Sequence, residues 1–248
     1  MTSLPLLCLP YAGAGASAFR GWSAFCGPGL EIVPVQLPGR EELIDEEPYR
    51  DAGRAADGLL PGIRRRLGDH RAVALFGHSM GALLAYEVAC RLAALPGMTV
   101  SLLVVSASHA PGTSRRHTVT GLPDDEFLDG LRRYAGYWPA ALDDPDFREL
   151  MLPVLRADAE LHERHRPDGG RRLSAPVLAV RGADDPMVER TETARWAEWT
   201  SGPFTSAELP GGHMDLVNDP AALLRLISDA GSVPGDDGHR TPSTASLR

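Results

Sequence analysis

A chain of 248 residues with 43% apolar content has room for one domain around a substantial core. Its net charge of −8 argues against nucleic acid as the main partner, and all 25 basic residues are arginine, which excludes lysine-dependent Walker loops and Schiff-base cofactors. Cys8, Cys26 and Cys90 form no C-x-x-C pair, no apolar run reaches the roughly 18 residues of a membrane span, and the start lacks the makings of a signal peptide. A soluble cytoplasmic protein with free thiols is expected.

Leu4-Pro5-Leu6-Leu7-Cys8-Leu9 reads as a buried strand running into Pro10-Tyr11-Ala12-Gly13-Ala14-Gly15-Ala16-Ser17, a loop of small residues that lets backbone N–H groups approach a ligand. Without a third glycine in register it is a weak nucleotide loop. Glu31 to Val35 is a second strand, followed by Gln36-Leu37-Pro38-Gly39-Arg40, and Asp51 to Leu67 is helical, with Arg64-Arg65-Arg66 as a solvated face at its dipole-favoured end. Ala72 to Phe76 is a buried strand that stops at Gly77-His78-Ser79-Met80-Gly81, after which a helix continues to about Leu95.

Val100 to Val105 is the next strand. Strand–helix alternation to this point predicts a mostly parallel sheet flanked by helices. From about His109 to Arg172 no strand-like run occurs; helices are expected from Leu122, over Asp146 to Leu155 and over Arg156 to His165, forming a lid inserted above the C-terminal edge of the sheet. Pro176 to Val180 resumes the sheet and leads into Arg181-Gly182-Ala183-Asp184-Asp185-Pro186. A helix from Arg190 to Trp199 precedes the last strand, Phe204 to Leu209, and the loop Pro210-Gly211-Gly212-His213-Met214-Asp215; a final helix starts near Pro220. One domain over residues 1–230, with a lid over about 109–172, leaves 231–248 as a polar tail of disordered composition.

Strand, tight Gly-x-Ser-x-Gly turn and helix together make a nucleophile elbow, in which Ser79 is pushed out beyond the sheet and faces the positive end of a helix. A serine hydroxyl needs a base, and the base an orienting acid; in chains with this elbow they follow in the order serine, acid, histidine, each after a strand. His213 is the histidine that follows the last strand on a glycine-flanked loop. His162, His165, His117 and His239 lie on polar stretches and are expected to face solvent, whereas His78 is expected to pack near the elbow and His109 to lie close to the pocket. Asp184 and Asp185 follow the same strand, and pattern alone does not separate them. The small-residue loop after the first strand then serves best as the second half of an oxyanion hole, with Ala12 N–H as its donor. His162-Glu163-Arg164-His165 lacks the H-E-x-x-H spacing, so no metal site is expected.

With those residues placed, the chain resembles the type II, or editing, thioesterases of polyketide and nonribosomal peptide synthases. The likeness rests on Leu9-Pro10-Tyr11-Ala12-Gly13, Val35 to Arg40, Phe76 to Gly81, Leu122 to Phe127, Gly182 to Pro186 and Gly211 to Met214. It implies an α/β-hydrolase fold with a helical lid, and as substrate an acyl group on the phosphopantetheine arm of an acyl or peptidyl carrier protein domain. It implies Ser79 as nucleophile, His213 as base, Asp185 as the acid, and Ala12 and Met80 N–H groups as oxyanion donors, with no cofactor of the protein's own; a monomeric chain is expected. Where the family often has an aromatic residue after Arg-Ser/Ala-Asp, this chain reads Arg156-Ala157-Asp158-Ala159, so a wider acyl pocket is implied. Arg115-Arg116 and Arg132-Arg133 are candidate contacts for an acidic carrier. A small-ester carboxylesterase or lipase, a malonyl-type acyltransferase and an idle carrier-binding protein are the competing readings.

Overall fold

The computed structural model describes residues 3–113, 117–134, 138–167 and 171–231; the Arg115-Arg116 pair, His239 and the tail from 232 lie outside them. The chain runs β1 (Leu4–Leu9), β2 (Leu30–Pro34), α1 (Ala52–Leu67), β3 (Ala72–His78), α2 (Met80–Ala93), β4 (Thr99–Ser106), α3 (Asp124–Tyr134), α4 (Pro145–Arg164), β5 (Val177–Gly182), α5 (Arg190–Ala194), β6 (Phe204–Leu209), α6 (Asp215–Asn218) and α7 (Ala221–Gly231). The six strands form one sheet in the order β2-β1-β3-β4-β5-β6, and every pairing is parallel.

The central strands read as unbroken apolar runs because helices cover both faces of the sheet. Side chains alternate between the two faces, apart from an irregularity near the start of β4 where the β3–β4 register shifts. Leu7, Leu9, Val73, Leu75, Leu103, Val105, Val177 and Ala179 point into the larger core beneath α1 and α2. Leu6, Cys8, Ala74, Phe76, Leu102, Val104, Leu178 and Val180 point into a second core closed by Phe19, Trp22 and α7. The stretch between β4 and β5 carries its own small core of Val119, Phe127, Leu142, Met151, Val154, Leu155 and Ala159.

Two helical expectations need correction. Residues 145–164 form one helix rather than two: Pro153 lies inside α4, and the burial of Met151, Val154 and Leu155 offsets the hydrogen bond a proline cannot make. Residues 190–199 are a single α-turn followed by a 3-10 segment, and the short α6 between the last strand and α7 was not foreseen. The strand order reverses between β1 and β3, which opens a crevice at their C-terminal ends, where ligands of open α/β sheets bind.

Candidate active site

The elbow sits at that crevice. Ser79 has φ +52° and ψ −119°, a conformation that costs a side-chain-bearing residue about 1–3 kcal/mol and persists only where neighbours enforce it. The enforcement is visible. Ser79 N–H donates to Ser106 O at 2.8 Å and Ala82 N–H donates to Ser79 O at 3.1 Å. A Cβ at Gly77 would stand 2.0 Å from Gly81 O, and one at Gly81 would stand 2.4 Å from Leu9 O, so both flanking positions require glycine. Ser79 occupies the N-cap position of α2 without capping it, which leaves its hydroxyl free of that structural duty.

Two neighbouring strands bring up the other partners. Gly182, at the end of β5, approaches the loop after β6 so closely that a Cβ would lie 2.3 Å from Gly211 O. Asp184 N–H donates to Gly211 O at 3.0 Å, which turns the Asp184 side chain outward and the next residue inward. Asp185 Oδ2 lies 2.8 Å from His213 Nδ1, and both side chains are buried. Asp185 Oδ1 accepts from Met187 N–H at 2.8 Å and Val188 N–H at 3.3 Å. Burial alone would raise the Asp185 pKa, but the hydrogen bond and charge of His213, with the two backbone donors, hold it below the usual carboxylate range. An ionised carboxylate only accepts, so the contact sets an N–H on His213 Nδ1 and leaves Nε2 as the ring nitrogen turned away from the acid. The pattern could not choose between the two aspartates; the geometry sets Asp185 against His213 and leaves Asp184 exposed.

His78 packs as expected. It is fully buried, with Nδ1 3.0 Å from Ser106 Oγ and its ring 5.8 Å from that of Tyr11 and 5.0 Å from that of His213. Burial and the neighbouring His213 push its pKa well below the usual imidazole value, against the pull of Asp185, so it stays neutral. His109 pairs with Glu192 at 3.2 Å. His165 is a correction: instead of facing solvent it is buried, with Nε2 2.9 Å from Glu87 Oε1, because the chain leaving α4 folds its polar end back onto α2.

The loop after β1 is held along its length by side chains from elsewhere. Gly13 N–H donates to Asp158 Oδ2 at 2.7 Å, Ala14 N–H to Tyr11 O at 3.0 Å and Ala16 N–H to Gln36 Oε1 at 3.0 Å, while Glu41 accepts from Ser17. Ala12 stands exposed at the tip of this loop, and Met80 is the buried first residue of α2. A Cβ at Gly81 would also stand 2.6 Å from Pro10 O, so the start of α2 packs directly against the chain leaving β1 at the switch point. Arg40 forks onto Asp158, with Nη1 to Oδ2 at 2.8 Å and Nη2 to Oδ1 at 2.9 Å, and also donates to Ala14 O at 3.1 Å. Neither residue was singled out from the sequence for this role. The available signal was that each closes a motif piece, Pro38-Gly39-Arg40 and Arg156-Ala157-Asp158. Arg132, on α3, pairs with Asp143 at 3.0 Å and lies over the Trp138 ring. Among the described residues no helix is long and apolar enough to cross a membrane.

Comparison with known proteins gives this geometry its context. Residues 4–230 match the family model described as Thioesterase domain. The chain is 34% identical over 225 residues to the probable cadicidin biosynthesis thioesterase of Streptomyces griseus, covering 91% of this chain and 62% of that protein. It is 34% identical over 230 residues to thioesterase PikA5 of Streptomyces venezuelae, covering 92% of this chain and 81% of the relative. It also matches the AMB antimetabolite synthetase AmbE of Pseudomonas aeruginosa at 35% identity but spans only 11% of it, so two of these relatives extend well beyond the matched region. Among solved structures, the type II thioesterase BorB from the borrelidin biosynthetic cluster superposes with a TM-score of 0.81 at 37% identity, covering 93% of each chain.

Proposed function

The chain belongs to the thioesterase domain family, and from that membership we propose that it releases acyl groups from the phosphopantetheine arm of carrier protein domains, clearing stalled or misprimed polyketide or nonribosomal peptide synthases. Ser79 is the nucleophile, His213 the base and Asp185 the acid that orients it. The observation that carries this reading is the buried 2.8 Å contact of His213 Nδ1 with Asp185 Oδ2, with the His213 ring lodged against the residue next to Ser79. The relatives support the pathway setting: one is a probable cadicidin biosynthesis thioesterase, and BorB is a type II thioesterase of the borrelidin biosynthetic cluster.

The chemistry proceeds in two steps. His213 Nε2 takes the Ser79 hydroxyl proton as Oγ attacks the thioester carbonyl. The resulting oxyanion is held by the N–H groups of Ala12 and Met80, each such donor lowering the barrier by roughly 3–4 kcal/mol. His213 returns the proton to the departing pantetheine sulfur, leaving an acyl-serine. It then deprotonates a water that attacks the ester, and collapse of that intermediate frees the acid and restores Ser79. The helical insertion carrying α3 and α4 acts as the lid over this edge. The pantetheine arrives with the substrate, so the protein needs no cofactor of its own, and a single chain supplies all three side chains.

Ser79→Ala is expected to lower acyl release from a loaded carrier by about 10⁴-fold or more, and the wild-type protein to prefer acyl-carrier over a p-nitrophenyl ester. Product mass spectrometry and ester turnover, measured side by side, check both. Near-normal release by Ser79→Ala contradicts the site, whereas much faster ester cleavage by the wild type identifies a small-ester esterase instead.

A further inference from the structure

Arg40 and Asp158 form a buried, doubly hydrogen-bonded ion pair joining three parts of the chain that are remote in sequence. Arg40 ends the loop after β2, Asp158 rides on α4 in the insertion, and both hold the loop after β1. Arg40 is 3% exposed and Asp158 1%, so each charge is out of water and depends on the other. A buried pair in itself is weak evidence of stabilisation; this one is notable for what else it binds. Asp158 Oδ2 accepts the Gly13 N–H at 2.7 Å, and Arg40 Nη1 donates to Ala14 O at 3.1 Å. With Ala14 N–H donating to Tyr11 O, the peptides on the C-terminal side of Ala12 are locked in place. Gly13 holds φ +77° in this turn, a conformation glycine permits and the Asp158 carboxylate fixes.

We propose that Arg40 and Asp158 are positioning residues for the oxyanion hole: they hold the loop at residues 12–14 in the shape that aims the Ala12 N–H at the developing charge. Neither touches the substrate. Asp158 acts through Gly13, and Arg40 acts through Asp158 and Ala14. The insertion therefore contributes to the reaction geometry from α4 as well as covering the site. The inference rests on the assignment of the Ala12 loop given above.

The test compares wild type, Asp158→Asn and Arg40→Lys on an acyl-loaded carrier, with rates expressed per active site titrated at Ser79 by a fluorophosphonate. Asn keeps the shape of the side chain but sets an amide N–H₂ against either Gly13 or Arg40. Lys keeps the cation but loses the fork. A misplacement of about 1 Å costs on the order of 10²-fold, so kcat is expected to fall about 10- to 100-fold in Asp158→Asn and by a smaller factor in Arg40→Lys, with KM nearly unchanged. Inhibition by an acyl trifluoromethyl ketone, whose Ser79 adduct carries an oxyanion, is expected to weaken by the same factor as kcat in each variant. The acid limb of the kcat/KM profile, which reports the base, stays where it is. Wild-type kcat per titrated site in Asp158→Asn, or a raised KM at unchanged kcat, overturns the proposal. Should Asp158→Asn not fold, wild-type kcat and inhibitor affinity in Arg40→Lys overturn it. Ser79→Ala run in parallel separates the two levels: if it retains acyl release, the assignment of the site fails; if it is inactive while both pair variants turn over normally, only the positioning role fails.

Discussion

Single residues set the pH behaviour of this protein. His78 is buried neutral beside Ser79, and its pKa is held well below the usual imidazole range by burial and by His213. The unfolded chain takes up a proton near pH 6.5 that the folded chain refuses. The stability His78 contributes is therefore fully present above that pH and is lost as pH falls below it, by up to about 1.4 kcal/mol per unit. Urea unfolding of wild type and His78→Asn at pH 7.0 and 5.5 is expected to show the stability difference between them shrinking by about 1 kcal/mol at the lower pH; a constant difference would show that the ring is not kept neutral. Asp185 works in a separate window. Its depressed carboxyl lends stability above about pH 4 that is lost only as pH falls through the folded value. The turns that carry Ser79 and His213 were legible because each is a glycine-flanked break directly after a strand. Asp184 and Asp185 were not separable, because which of two adjacent side chains turns inward depends on the Asp184 N–H bond to Gly211 O, a contact across loops.

Secondary-structure elements place those residues, and two glycines show how tightly. Gly182 ends β5 against the backbone of Gly211 and Gly212, with a Cβ 2.3 Å from a carbonyl that cannot swing aside. Gly62, on the outer side of α1, has only the flexible tip of Arg65 within reach, at 3.9 Å. Gly182→Ala is therefore expected to cost about 1–3 kcal/mol and to force apart the loops carrying Asp185 and His213. Gly62→Ala is expected to stabilise by about 0.5–1 kcal/mol through the lost entropy of the unfolded chain. Thermal unfolding of both variants checks the pair of signs; two changes of the same sign would contradict the packing described here. The strands were readable because both faces are buried, making them apolar throughout. Residues 145–164 read as two helices because local pattern carries no knowledge of the third core, whose burial of Val154 and Leu155 draws the chain through Pro153 as one helix.

At the scale of the whole molecule, the parallel sheet brings the C-terminal ends of all six strands to one edge, and the strand order reverses at β1 and β3. The Ala12 loop, the Ser79 elbow, the Asp185 loop and the His213 loop all leave from that edge. That the strands run parallel followed from strand–helix alternation; their order in the sheet did not. The contacts that bind the insertion to the rest did not: Arg40 meets Asp158 across 118 residues and Glu87 meets His165 across 78, and a single sequence carries no record of such pairings. His165, in a run of charged residues, therefore read as solvated although it is buried. The proposed hydrolysis requires an acyl group to pass from carrier to Ser79. The most direct measurement is intact-protein and peptide mass spectrometry after rapid mixing with an acyl-loaded carrier and acid quench. A transient adduct of one acyl mass is expected on the peptide containing Ser79, decaying as free acid appears, with no adduct in Ser79→Ala. Release of acid at the wild-type rate with no acyl-serine formed, or an adduct on another residue, would contradict it.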